Sequence, residues 1–138
     1  IYLRPDVTYV NDFQMNFLSI SCKKSVVIPN FALSGGFNDR FAIMTSKNYQ
    51  KYGDIFPKLL DYSKKRPLHS ERIQIRILKK DYRLSIKMIP FFFNRTRCNG
   101  YTKKDFGIRH MNTLLQEWRN KFPDVPKTNQ EEENPNDS

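Results

Sequence analysis

Cysteine is scarce in this chain of 138 residues, which has only Cys22 and Cys98. Their separation matches no metal-ligand spacing, so a zinc finger or zinc ribbon is excluded. They read as free thiols in a reducing compartment, with a single disulfide as the lesser alternative. Long apolar runs are also missing. No stretch approaches the roughly 18 residues that a membrane-spanning helix needs. No segment has the make-up of a signal peptide, and the expected location is the cytoplasm. A longer N-terminus would be the place for a targeting or membrane segment. Glycine occurs five times, nowhere as a glycine-rich phosphate loop. There is no internal repeat, helix-turn-helix pattern or RNA-binding signature.

Acidic residues are few, 14 against 24 Lys and Arg, for a net charge of +10. Residues 123–138 hold five acids and one base, a net −4, which leaves the preceding body at +14. That tail is polar and acidic and is expected to be disordered. A body so basic attracts phosphates, whether of nucleic acid, nucleotide or an anionic surface. Hydrophobic residues make up 38% and aromatic residues 14%, with eleven Phe and seven Tyr. This is enough for one globular domain, expected over residues 1–122. The chain starts at Ile1 within an apolar run, which reads as a strand already under way in a longer protein.

Taken in order, residues 1–3 read as a strand that Pro5 brings to an end, with Asp6 projecting from it. Residues 7–13 look irregular, and Phe13, Phe17, Leu18 and Ile20 suggest a short helix or connection. Residues 25–29 are β-branched, short and stopped by Pro29, the clearest strand of the first half. The segment 35–42 follows. Gly35-Gly36 turns the backbone where a side chain would clash. Asn38, Asp39 and Arg40 then precede the apolar run 41–44, a buried strand or helix start. Thr45-Ser46 suits a helix N-cap, with a short helix over 47–52 that sets Tyr49 and Tyr52 on one side. A second helix is expected over 57–65, ending in the basic turn 64–67. Ser70 suits the N-cap of a helix over 70–80, with Glu71 in its first turn, where the macrodipole favours a carboxylate. A strand is expected over 82–93, bent or ended by Pro90. Asn99-Gly100 reads as a turn and 102–109 as a basic loop. Met111, Leu114, Leu115 and Trp118 recur at helical spacing, so 110–122 is an amphipathic helix whose stripe faces the core.

Two readings of the polar residues stand side by side. Arg4 and Asp6 form a surface ion pair, or Asp6 faces a ligand at a strand end. Residues 35–42 form a polar turn capping a strand, or the wall of a pocket, since loops on a rigid scaffold carry function. Glu71 is ordinary helix-start chemistry, or a base. Asn94-Arg95-Thr96 also matches a glycosylation sequon, meaningful only in a secretory lumen.

The ordered set Arg4-Pro5-Asp6, Gly36-x-Asn38-Asp39-Arg40-Phe41-Ala42, His69-x-Glu71 and Arg95-x-Arg97 resembles a family of glycosyltransferases from large DNA viruses, algae and bacterial polysaccharide clusters. The resemblance spans roughly residues 1–100. It implies an α/β fold, a partial Rossmann-like nucleotide-sugar transferase with a mixed sheet and short helices, whose N-terminal nucleotide-binding half is missing here. It implies a nucleotide-sugar donor, a glycan or other hydroxyl acceptor, and Mn²⁺ or Mg²⁺ on the donor diphosphate. Asp6 matches the metal-binding carboxylate, though Val7 and Thr8 stand where a second acid is usual, with His69 a further ligand or a polar wall. Asp39 and Glu71 fit the base that an inverting transferase needs. Asn38 and Arg40 suit sugar hydroxyls, and Arg95 and Arg97 suit phosphate oxygens. A retaining mechanism would use these groups differently. The resemblance also implies that this piece alone binds a nucleotide sugar poorly. The main rival is a non-enzymatic basic module that binds nucleic acid through the basic body and exposed aromatics. An inert fragment that packs with a missing half is a third reading.

Overall fold

The computed structural model describes residues 1–33, 35–65 and 67–123. The expected acidic tail thus lies outside the described residues from 124 onward, as do Ser34 of the loop before the glycines and Arg66 of the basic turn.

The chain is mixed α/β, with two sheets and short helices. The strands are β1 (Tyr2–Leu3), β2 (Val7–Tyr9), β3 (Ser25–Pro29), β4 (Phe41–Met44), β5 (Ser85–Ile89), β6 (Phe93–Thr96) and β7 (Thr102–Lys103). The helices are α1 (Asn16–Ser19), α2 (Tyr49–Gly53), α3 (Phe56–Ser63), α4 (Ser70–Ile75) and α5 (Ile108–Lys121). A π-helical stretch, Arg76–Asp81, continues α4. One sheet runs β1-β4-β3-β5 and the other β2-β6-β7. Among the described residues only β3 and β5 pair in parallel, and the other pairings are antiparallel.

The middle of the first sheet, β3 and β4, is covered on both faces, which explains why all five residues of β3 are buried. Alternation sorts its side chains. Val27, Phe41 and Ile43 join one core cluster, while Val26, Ile28 and Ala42 join the other. The first cluster is an aromatic layer of Phe17, Phe31, Phe91, Phe92, Phe93 and Trp118, flanked by Phe13 and Phe106. Its rings meet mostly edge to face, as Phe41 and Phe91 do at 4.9 Å between centroids. That geometry matches the ring quadrupoles. Here α5 closes the layer with Met111, Leu114, Leu115 and Trp118, the stripe read from the sequence. The second cluster packs Tyr52, Leu78 and Leu84 against the opposite face.

Several expected boundaries move. Residues 7–9, read as irregular, form β2, because Val7, Thr8 and Tyr9 find Arg95, Asn94 and Phe93 as partners. The long strand expected over 82–93 splits at Pro90. Ile89 ends β5 in one sheet, and Phe93 begins β6 in the other. Part of the expected basic loop is β7, hairpinned to β6 across Gly100 at φ +78°. The first turn of α2 follows Asn48 and not Thr45-Ser46. The Asn48 amide instead donates to the Lys23 carbonyl at 3.0 Å. Tyr49 and Tyr52 part company, at 59% and 3% exposed. His69, in extended conformation, takes the cap position that Ser70 was expected to hold. Beyond Ile75 the bonding loosens to i→i+5, with Tyr82 N–H on the Ile77 carbonyl at 3.0 Å. The wider turn ends the helix against β5.

Burial pushes the Tyr52 phenol well above the ordinary tyrosine value, with the neighbouring Gln74 amide pulling the other way. The Tyr52 hydroxyl and Gln74 Oε1 nonetheless lack hydrogen-bond partners among the described residues. They are neighbours that miss bonding geometry. A buried hydroxyl without a partner carries a desolvation penalty and returns nothing. Tyr52→Phe is therefore expected to leave stability unchanged or raise it by about 1 kcal/mol in urea unfolding. A loss of that size would instead show a working hydrogen bond.

Candidate functional site

Three backbone hydrogen bonds draw the sequence motifs together. Arg4 N–H donates to the Arg40 carbonyl at 3.0 Å, extending the β1–β4 pairing and laying Arg4-Pro5-Asp6 beside Asn38-Asp39-Arg40. Thr96 N–H donates to the Asp6 carbonyl at 3.0 Å, so the β2–β6 ladder carries Arg95 and Arg97 to the same place. Phe37 N–H donates to the Glu71 carbonyl at 3.2 Å, which seats the glycine loop on the first turn of α4. Gly36 is packed so tightly there that a β-carbon built on it would lie 2.2 Å from the Glu71 carbonyl carbon and oxygen. Gly35 has φ +73° and faces the Arg72 guanidinium.

The charged groups divide by role. Arg4 grips Asp6 in a fork, Nη2 to Oδ2 at 2.9 Å and Nε to Oδ1 at 2.5 Å. Those bonds, helped by the charges of Arg4 and Arg97, hold the Asp6 carboxyl below the usual carboxylate range. The pair is the surface ion pair that the sequence offered as one reading of Asp6. Arg40 is buried and donates from Nη1 to Asp105 Oδ2 at 3.0 Å. Arg95 reaches the same carboxylate with Nε at 2.9 Å and Nη2 at 3.2 Å. Burial first, and the neighbouring Arg95 charge second, lower the Arg40 guanidinium from its ordinary value. Arg40 Nε has no partner among the described residues.

Asn38 is 1% exposed. Its Nδ2 donates to the Phe31 carbonyl and its Oδ1 accepts the Arg40 N–H, both at 3.0 Å. Both polar ends of the side chain are thus engaged within the protein, where they shape the turn. Arg40 is likewise engaged within the protein, through Asp105. Arg97 is exposed beside Asp6. Asp39 is half-buried, and its charge is felt by both Arg4 and Arg40. Glu71 Oε2 accepts from Ser70 Oγ at 2.9 Å and lies 2.9 Å from His69 Nδ1.

Asp105 is the residue that the sequence reading passed over. It sits in the basic segment after β7, joined by Arg40, Arg95 and, at 3.8 Å, Lys103. A signal was present: Asp105 is the one acid between Asp81 and Glu117. A lone carboxylate in so basic a stretch draws the buried cations around it.

Comparison with protein-family models, curated proteins and solved structures found no match.

Proposed function

We propose that residues 1–122 are the acceptor-side part of a glycosyltransferase, which moves a sugar from a nucleotide-sugar donor to a hydroxyl of a glycan or other acceptor. The observation that supports this reading is convergence. Four motifs far apart in sequence meet through the Arg4–Arg40, Thr96–Asp6 and Phe37–Glu71 backbone hydrogen bonds. A polar turn that merely capped a strand would not require the Arg-Pro-Asp, His-x-Glu and Arg-x-Arg segments at the same edge. In this reading a Rossmann-like nucleotide-binding half precedes the chain and completes the fold.

Asp39 is the preferred base. It is half-buried close to the Arg4 and Arg40 guanidiniums, where it would accept the acceptor hydroxyl proton. Glu71, held by Ser70 and His69, bounds the same loop and orients the acceptor. Arg97, exposed next to Asp6, faces the leaving diphosphate, where a guanidinium fork matches phosphate oxygens.

The residues proposed for a metal do not fit a shell as they stand. Both Asp6 oxygens are engaged by Arg4, and His69 Nδ1 lies against Glu71. Among the described residues no three His, Cys, Asp or Glu side chains are grouped to hold an ion. Mn²⁺ or Mg²⁺ would therefore be held by the donor-binding half and the diphosphate oxygens, where it would neutralise the leaving diphosphate.

The test is nucleotide-sugar turnover by the full-length protein. Asp39→Asn is expected to lower kcat by about 100-fold or more, the usual worth of a positioned base, with unchanged thermal unfolding. Glu71→Gln is expected to lower it less. Turnover unchanged in both variants sinks the assignment. Absence of turnover with oligonucleotide binding that falls steeply with salt would favour the nucleic-acid module instead.

A further inference from the structure

A cavity of about 470 Å³ opens between the end of α3 and the outer face of α4. That volume lies within the usual span of small-ligand pockets. Its lining carries three cations, Lys65, Arg72 and Arg76, with His69 and the ring of Tyr62 beside them. Arg76 stands over the Tyr62 ring, 5.3 Å from its centroid. That contact fixes the guanidinium in place. Arg72 and Arg76 are four residues apart, so they project from one helical face. No carboxylate lines the cavity among the described residues. The nearest acid in sequence, Glu71, is already held by His69 and Ser70.

Cations gathered without a counter-charge repel one another, and an anion that enters relieves the repulsion. Guanidinium groups suit tetrahedral oxyanions in particular, because two N–H groups meet two oxygens. Leu68 and Ile73 add an apolar wall for whatever carries the anion. The cavity also borders the loop at the centre of the proposed site. A β-carbon built on Gly35 would lie 3.4 Å from Arg72 Nε.

We propose that this pocket binds a phosphate group, with Arg72 and Arg76 as its principal ligands. Taken with the glycosyltransferase reading, on which this second step rests, the phosphate belongs to the acceptor, a phosphorylated sugar whose hydroxyl is delivered to Asp39. Binding and turnover are read separately, so the phosphate site stands or falls independently of catalysis.

Calorimetric titration of the full chain at low salt tests both steps, with inorganic phosphate, glucose 6-phosphate and UDP as probes. Glucose 6-phosphate is expected to bind with submillimolar Kd, about tenfold tighter than inorganic phosphate. Arg72→Gln combined with Arg76→Gln is expected to weaken both by about tenfold or more, whereas Lys47→Gln, an exposed cation elsewhere, changes neither. Equal losses in the double variant and Lys47→Gln would overturn the site as mere net charge. UDP binding tighter than glucose 6-phosphate would overturn the acceptor assignment in favour of a donor diphosphate. Amide chemical shifts of the unmodified protein give a check that needs no variant. Phosphate must move residues around Arg72, Arg76 and Tyr62, and shifts confined elsewhere overturn the proposal.

Discussion

Asp105→Asn is expected to destabilise the protein by about 3–5 kcal/mol, the measured range for stripping one partner from a buried ion pair. The side chains of Arg40, Arg95 and Asp105 are 7%, 18% and 12% exposed. One carboxylate thus offsets two guanidiniums away from water. Without that negative charge, Arg40 keeps its own charge, loses the counter-charge beside Nη1 and still faces Arg95. Asparagine retains one oxygen as acceptor and none of the charge, so the variant measures the electrostatic part. Removing the exposed neighbour Lys103, whose ammonium is 3.8 Å from Asp105, is expected to change stability by less than about 0.5 kcal/mol. Urea unfolding of the two variants checks the contrast. A loss below about 1 kcal/mol for Asp105→Asn would mean that water reaches Arg40 and replaces its partner. Arg40→Met combined with Asp105→Leu should recover much of the loss if desolvation is the cause, since apolar groups of similar volume carry no such penalty.

Gly36→Ala is expected to be the most damaging of the glycine-to-alanine changes, lowering stability by about 3 kcal/mol, the upper end for overpacking. The added carbon would meet the Glu71 carbonyl carbon and oxygen at 2.2 Å and the Arg72 nitrogen at 2.6 Å. Those are backbone atoms of a helix turn and cannot rotate away. Relief requires lifting the loop from α4, which breaks the Phe37–Glu71 hydrogen bond and withdraws Phe37, 3% exposed, from its core. Gly35→Ala makes the comparison sharp. There the difficulty is φ +73°, a conformation that disfavours a β-carbon by about 1–2 kcal/mol. The nearest atom is the mobile Arg72 guanidinium at 3.4 Å. Thermal unfolding should rank Gly36→Ala well below Gly35→Ala, and the reverse order would contradict the packing described. Gly36→Ala should also abolish any activity that depends on Asp39 and Glu71, because it separates the two segments that carry them.

The helical stripe 111–118, the buried strand 25–29 and the stop at Pro90 were legible in the sequence. Each depends on local periodicity or on the missing N–H of proline, and neither needs a distant partner. β2 and β7 were not legible. Strands of three and two residues carry too little pattern, and they exist because β6 lies between them to receive their hydrogen bonds. Among the candidate residues, sequence placed Asp39 and Glu71 in a turn and at a helix start. The resemblance implied a ligand for Asn38 and Arg40, and the fold gives both buried side chains partners of their own, the Phe31 carbonyl and Asp105. Chemical type is written in the sequence, but solvent access is not, because it depends on which remote segment covers the group. The two adjacent glycines carry the same lesson. Sequence determined that residues 35 and 36 have no β-carbon, and so that a tight backbone passage lies there. Only the tertiary structure decided that Gly35 answers to a torsion angle and Gly36 to the helix backbone pressed against it.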